Sequence, residues 1–191
     1  MFITTPNILT ILRLLAAPCV AFFLVIDIGG LEAVLAFFIF VTAGVTDYLD
    51  GYLARLWNQT SLLGKVLDPI ADKAMVIIVL SFLPYCLDDY LIKVLYGLPA
   101  IIIILREIIV SGMREYISGN SKLLTVTKLS KWKTTAQLFS IALLLLGNLP
   151  RLGHLPITEI GLLCLWFACL LTLITGIDYS RKMLSSLEKG S

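Results

Sequence analysis

The sequence predicts an all-α, polytopic membrane protein with six transmembrane helices and a polar cavity that faces the cytoplasm. Hydrophobic residues make up 59% of its 191 residues and charged residues only 15%, whereas a soluble domain is about half apolar and about a quarter charged. The mean hydropathy is +0.95. The charged residues also collect at the ends of apolar runs, so each run is typical of one helix in a membrane bundle.

Polar or glycine-containing segments separate the first three apolar runs. Gly29-Gly30 ends the first run, which is apolar except for Arg13 and Asp27, and a polar turn at residues 58–64 ends the second. The uncharged stretches are often shorter than the about 20 residues that a spanning helix needs. We therefore expect the polar helix ends to face a shared wet cavity instead of lipid.

The later helices are bounded in the same way. Asp88-Asp89 precedes the fourth helix, and Gly119-Asn120-Ser121 ends it. A basic linker at 122–133 leads to the fifth helix, a loop at 150–156 leads to the sixth, and a polar tail at 181–191 follows. The predicted helices cover residues 8–28, 31–57, 65–86, 90–118, 132–149 and 155–179.

The distribution of Lys and Arg predicts the orientation. Six helices put both ends of the chain on one side, and the loops of the opposite side hold only Lys93 and Arg151. Because cytoplasmic loops are enriched in Lys and Arg, we expect the basic side to face the cytoplasm. We also expect one membrane domain over residues 1–191, in a bacterial cytoplasmic (inner) membrane. The basic side collects Arg55, Lys65, Arg114, Lys122, Lys128, Lys131, Lys133, Arg181, Lys182 and Lys189.

Four aspartates lie close together at the boundary between the second and third helices. Asp47 and Asp50 are three residues apart, and Asp68 and Asp72 are four apart, so each pair shares one helix face. Four facing carboxylates repel one another unless cations bridge them, and no His or Cys lies nearby. Such an all-oxygen set suits Mg²⁺, Mn²⁺ or Ca²⁺, and two ions fit four carboxylates better than one.

Small residues and an arginine accompany the aspartates. Gly51 and Ala54 lie on the second helix and Gly64 lies at the turn, where small side chains allow a bulky ligand to approach the backbone. The guanidinium of Arg55 is a planar donor suited to phosphate oxygens. Together with the metals, these residues predict a polyphosphate or pyrophosphate ligand.

The spacing of these residues resembles the signature of the CDP-alcohol phosphotransferases, Asp-x2-Asp-Gly-x2-Ala-Arg-x8-Gly-x3-Asp-x3-Asp. Eight matched positions at fixed spacing make this a specific resemblance. It implies a six-helix, usually dimeric membrane enzyme that binds two divalent metals and transfers a phosphoalcohol group from a CDP-linked donor, here CDP-diacylglycerol, with release of CMP. The matched residues are Asp47, Asp50, Gly51, Ala54, Arg55, Gly64, Asp68 and Asp72.

The same resemblance implies roles for individual residues. The four aspartates are expected to be metal ligands, and Asp72 is in addition the expected general base for the acceptor hydroxyl. The residues expected to contact the CDP donor are Asn7, Asp47, Gly51, Ala54, Arg55 and Gly64.

Basic residues on the fourth and fifth helices predict an anionic acceptor. Arg106 and Arg114 are eight residues apart, about 80° around a helix, and Lys131 and Lys133 begin the fifth helix. A buried arginine in a membrane helix is by default a functional residue. Glycerol 3-phosphate therefore fits better than serine, choline or a neutral alcohol. The segments around Arg106 and Lys133, with the N-terminal segment 6–13, resemble the family branch that uses it.

Other functions remain as alternatives. Acceptors such as inositol phosphate, serine or phosphatidylglycerol would use the same donor chemistry. An ion-coupled transporter could also use intramembrane aspartates, but the chain shows no inverted repeat. We expect membrane lipids and a second copy of the chain as partners, in a homodimer, and no nucleic acid.

Overall fold

The computed structural model describes residues 5–56, 62–87, 89–117, 128–150, 152 and 155–188. Within this part every regular element is helical, which confirms the predicted all-α class. A short 3₁₀ turn, Leu83–Cys86, extends α3. The helices are α1 (Thr5–Val25), α2 (Leu31–Leu56), α3 (Leu62–Phe82), α4 (Tyr90–Ile117), α5 (Lys128–Gly147) and α6 (Ile157–Glu188).

Several helix ends differ from the prediction, among them the start of α3 at Leu62, inside the predicted polar turn, and two of the differences have a visible cause. α6 continues past Tyr179 to Glu188, because Lys182 and Asp178 form an ion pair across one helical turn at 2.7 Å and helical propensity does not require apolar residues. α5 begins at Lys128, inside the segment that we predicted as a basic linker. The ε-ammonium of Lys133 can be buried there because it is paired with an acid, as described below.

The turn between α1 and α2 requires its two glycines. Gly29 and Gly30 have φ values of 72° and 95°, a left-handed region that residues with a Cβ rarely adopt. The Glu32 carboxylate accepts hydrogen bonds from the backbone N–H groups of Ile28 (2.9 Å) and Gly30 (3.0 Å), and it thereby caps the start of α2.

The six helices pack as two groups of three. α1 packs on α2 and α3, whereas α6 packs on α5 and α4, and fewer contacts join α2 to α5, α3 to α4 and α3 to α5. At one end the Tyr96 hydroxyl of α4 donates to the Leu80 carbonyl of α3 at 2.9 Å, within a continuous apolar core. At the other end the space between α3, α4 and α5 forms a polar cavity.

The outer surface of the bundle is apolar on all six helices. Leu15, Phe38, Ile70, Phe139 and Phe167, for example, are each about half exposed or more, which is costly in water and expected in lipid. Three helices within the described residues are long and apolar enough to cross a membrane by length and composition. These segments are Asn7–Val25, Tyr90–Glu115 and Ile157–Met183.

Candidate active site

The polar cavity between α3, α4 and α5 brings together two of the predicted residue groups. It has a volume of about 260 Å³. Asp68 and Asp72 line it from α3, Arg106 and Arg114 from α4, and Lys133 from α5. The sequence predicted that these acids and bases would border the same end of the helices, and the packing of the three helices puts them around one space.

The carboxylates of the site are held by polar residues of α1. Arg13 forms ion pairs with both Asp47 of α2 and Asp72 of α3, the latter with 2.9 Å between Nη1 and Oδ1. The Thr10 hydroxyl donates to Oδ1 of Asp68 at 2.7 Å. Three aspartates from two helices are therefore gathered around one face of a third helix.

Arg13 is a site residue that the sequence analysis missed. Its side chain is only 3% exposed, whereas those of Asp47 and Asp72 are 41% and 46% exposed. The guanidinium thus fills the interior side of the acidic group, and the carboxylates face outward. The available signal was the spacing of Asn7, Thr10 and Arg13 at successive intervals of three, which puts polar side chains on one face of an apolar helix.

The predicted donor-binding residues are described only in part. Asn7 is buried on the face of α1 that also carries Thr10 and Arg13, and Gly64 is buried near the start of α3. A smaller cavity of about 30 Å³ lies between Arg13, Asp47 and Asp72. Gly51 lies in α2, but its surroundings and the side chains of Asp50, Ala54, Arg55 and Lys131 are outside the part that the structure describes.

The basic side of the cavity is organised by a buried acid that we had not predicted as a site residue. Glu107 of α4 accepts a hydrogen bond from the ammonium of Lys133 and another, at 3.3 Å, from Nε2 of Gln137. Nη1 of Arg106 lies 3.6 Å from the same carboxylate. These contacts explain how two cations can lie in the interior, since a buried charge is tolerated when it is paired and hydrogen-bonded.

The two arginines have different surroundings. Arg106 donates from Nε to the Thr172 carbonyl (3.2 Å) and from Nη2 to the Thr175 hydroxyl (3.0 Å), so α6 fixes its guanidinium. Arg114 lies nearer the mouth of the cavity, with Cζ 5.5 Å from the centre of the Tyr179 ring. A cation at this distance is attracted to the face of the ring.

The chemistry of the donor set fits a hard divalent cation. The possible ligand atoms are the carboxylate oxygens of Asp47, Asp68 and Asp72. A positive charge already lies between two of these carboxylates, since the Arg13 guanidinium pairs with both Asp47 and Asp72. Such oxygen donors suit Mg²⁺ or Mn²⁺. The described residues alone contain no group of three His, Cys, Asp or Glu side chains arranged to hold a metal ion, and the fourth predicted ligand, Asp50, has its side chain outside that part.

Comparison with known proteins identifies the family of the chain. The sequence profile of the CDP-alcohol phosphatidyltransferase family matches residues 3–174. Three relatives share the name CDP-diacylglycerol–glycerol-3-phosphate 3-phosphatidyltransferase. The protein from Cereibacter sphaeroides is 43% identical over 96% of both chains, that from Haemophilus influenzae is 40% identical over 95% of this chain and 94% of its own, and that from Rickettsia typhi is 36% identical over 92% and 94%. The chain is therefore an enzyme of the CDP-alcohol phosphatidyltransferase family, as the spacing of its aspartates, glycines and arginine predicted.

Proposed function

We propose that this enzyme transfers the phosphatidyl group of CDP-diacylglycerol to glycerol 3-phosphate, producing phosphatidylglycerophosphate and CMP for phospholipid biosynthesis. The observation that carries the proposal is the cavity in which Asp68 and Asp72 lie opposite Arg106, Arg114 and Lys133. The acids suit chemistry at a pyrophosphate, and the cations suit the phosphate of an anionic acceptor. The name shared by the three bacterial relatives describes the same reaction.

The four aspartates, which we call the acidic group, would act on the donor. Asp47, Asp50, Asp68 and Asp72 would hold two divalent ions, Mg²⁺ or Mn²⁺, which when bound would neutralise negative charge on the pyrophosphate and on the departing CMP. Arg13 and Thr10 keep the carboxylates of α2 and α3 together before the donor binds. The residues that we assign to the CDP part of the donor are Asn7, Asp47, Gly51, Ala54, Arg55 and Gly64.

Asp72 is the residue that we assign as general base. It lines the cavity, and Arg13 contacts its Oδ1 atom, which leaves Oδ2 to accept the proton of the acceptor hydroxyl. The hydroxyl oxygen then bonds to the phosphatidyl phosphorus while the bond between that phosphorus and the CMP oxygen breaks. The proton ends on Asp72 and the electron pair of the broken bond leaves with CMP.

The cations of α4 and α5, which we call the basic group, would bind the acceptor. Arg106, Arg114 and Lys133, together with Lys131 at the start of α5, would bind the acceptor phosphate and direct its hydroxyl toward Asp72. The cavity of about 260 Å³ lies just below the about 300–1,000 Å³ of typical small-molecule sites. A small phosphorylated alcohol such as glycerol 3-phosphate fits a cavity of this size.

An acceptor screen tests the proposal. Purified protein with CDP-diacylglycerol and Mg²⁺ is incubated separately with glycerol 3-phosphate, inositol phosphate, serine or phosphatidylglycerol, and CMP release is followed. We expect the highest kcat/KM with glycerol 3-phosphate and little release without an acceptor. A higher kcat/KM with any of the other three compounds would contradict the proposed acceptor.

We also propose that all six helices span the membrane in one domain of residues 1–191, with the cavity facing the cytoplasm. The start of α3, the end of α4 and the start of α5 all border the cavity, as alternating membrane crossings require. Arg114 and Lys133 line the cavity, and Arg181 and Lys182 lie near the end of α6 on the same side. Lys93 lies at the opposite end of α4. This bias follows the positive-inside rule.

The orientation can be measured by cysteine labelling. Lys182→Cys at the cavity end and Tyr90→Cys at the opposite end both replace exposed residues. Both are made in a background whose four native cysteines are replaced by Ala, because Cys86 lies at the same end as Tyr90. In intact cells a membrane-impermeant maleimide is expected to label Tyr90→Cys only, and Lys182→Cys only after the membrane is broken. The reverse pattern would contradict the orientation.

The molar mass of the purified protein in detergent tests the predicted homodimer, which should have twice the mass of one chain.

A further inference from the structure

The buried acid Glu107 is the centre of a polar network that connects α4, α5 and α6. Its carboxylate is within hydrogen-bonding distance of the Lys133 ammonium and of Nε2 of Gln137, and 3.6 Å from Nη1 of Arg106. Glu107 is 8% exposed and Lys133 only 4%. In a membrane interior an ionised carboxylate is costly even when paired, so a purely apolar contact between α4 and α5 would be cheaper.

The network contacts Arg106 from α4 and α6 and contacts Lys133 through Glu107. Nε2 of Gln137 donates to Glu107 and also to the Thr172 hydroxyl of α6, the latter at 2.9 Å. The Thr172 carbonyl in turn accepts a hydrogen bond from Nε of Arg106. Arg106 and Lys133 are therefore linked through Glu107, Gln137 and Thr172, while both also line the cavity that holds Asp68 and Asp72.

We propose that Glu107 is a positioning residue that acts through Lys133, holding the ammonium where it meets the phosphate of the acceptor. This inference rests on the proposed function of the cavity. Lys133 has a flexible four-carbon stem, and the Glu107 carboxylate fixes its free end. The Lys133 side chain is therefore already ordered in the folded protein, and substrate binding does not carry the entropic cost of ordering it.

A simple charge effect predicts the opposite result from a positioning effect. Glu107 carries a negative charge beside an anion-binding cavity, so by Coulomb's law its removal should strengthen binding of a phosphate. A positioning role predicts that its removal weakens binding, because Lys133 is no longer held at the cavity. The direction of the change in KM for the acceptor therefore separates the two.

The experiment is a double-mutant cycle between Glu107 and Lys133, read by CMP release with CDP-diacylglycerol and glycerol 3-phosphate. Glu107→Gln keeps an oxygen acceptor but replaces a charge-assisted hydrogen bond by a weaker neutral one, and Lys133→Met removes the cation itself. Each is expected to raise the KM for glycerol 3-phosphate about tenfold. The KM for CDP-diacylglycerol should stay within about twofold of the wild type, since the contacts of Glu107 lie on the basic side of the cavity. The double variant should lose no more than the larger single loss.

A second variant keeps the test valid if Glu107→Gln does not fold. Glu107→Asp preserves the charge but draws the carboxylate back by one methylene group. A positioning role predicts a raised acceptor KM for this variant, smaller than that of Glu107→Gln, whereas a charge effect predicts no change. Ser140→Ala is a matched control, because Ser140 is a fully buried polar residue of α5 that does not line the cavity, and its acceptor KM should match the wild type.

Three outcomes would overturn the positioning role. The first is a lower KM for glycerol 3-phosphate in Glu107→Gln. The second is a double variant whose rise in that KM combines the full effects of both single variants. The third is an equal rise in the KM for glycerol 3-phosphate and the KM for CDP-diacylglycerol. The proposed function fails separately, if the wild-type enzyme prefers another acceptor. The cycle is then run with that acceptor, and an acceptor that lacks a phosphate group would overturn both proposals.

Discussion

Replacing Asp72 by Asn is expected to abolish CMP release with every acceptor while the protein remains folded. An amide of the same shape cannot take the proton of the acceptor hydroxyl, and loss of a general base alone costs about 10²–10⁴-fold in rate. Loss of a carboxylate from the proposed metal ligands adds to this effect. The measurement is kcat at saturating CDP-diacylglycerol and glycerol 3-phosphate, together with the melting temperature.

Asp178→Asn is the matched control for this variant. Asp178 is an exposed carboxylate near the cavity end of α6 and pairs with Lys182, so its kcat should equal that of the wild type. The melting temperature of Asp72→Asn should stay close to the wild-type value, because the amide oxygen can still accept the hydrogen bond from Arg13 and Asp47 still pairs with the Arg13 charge. Turnover near the wild-type rate in Asp72→Asn would remove Asp72 as the base.

Replacing Arg13 by Gln is expected to lower the melting temperature strongly in the absence of divalent cations, and less when Mg²⁺ is present. Arg13 is the buried partner of Asp47 and Asp72, which are themselves partly exposed. The expected loss is therefore about 1–3 kcal/mol, between the cost of breaking an exposed pair and that of breaking a fully buried one. Mg²⁺ that binds the same carboxylates stabilises the folded state, and it should stabilise the variant more than the wild type.

The experiment measures melting temperatures in detergent over a series of Mg²⁺ concentrations. Lys182→Gln is the control, because it removes the cation of an exposed ion pair, whose two side chains are 58% and 53% exposed, and such pairs contribute about 0.2–1 kcal/mol. A loss of stability in Arg13→Gln that is independent of Mg²⁺ would show that Arg13 only packs the helices. No loss at all would mean that its ion pairs do not stabilise the fold.

The positions of the aspartates could be predicted because their arrangement depends on local spacing. Asp68 and Asp72 are one helical turn apart, so any helix over this segment puts both on one face. The end of α6 was harder to predict, since hydropathy falls after Tyr179 while the helix continues to Glu188. Hydropathy reports where a membrane ends, whereas a helix continues as long as its backbone hydrogen bonds and side-chain pairs permit.

The partners of the aspartates could not be predicted in the same way. Arg13 is 59 residues from Asp72 in the sequence, and Lys133 is 26 residues from Glu107. Both contacts cross between helices, and they depend on how each helix is rotated about its axis when the side chains pack. In the sequence, Arg13 was one charge within an apolar run and Glu107 one acid beside an arginine.

The sequence by itself determined the all-α class with apolar helices, the face that Asp68 and Asp72 share, and the family. These properties follow from composition and from spacings shorter than one helix. Only the tertiary structure decided that Arg13 lies between Asp47 and Asp72, that Glu107 holds Lys133, and that the acidic and basic groups share one cavity between α3, α4 and α5. These contacts depend on the packing of helices that are distant in the chain, and helical periodicity describes each helix separately.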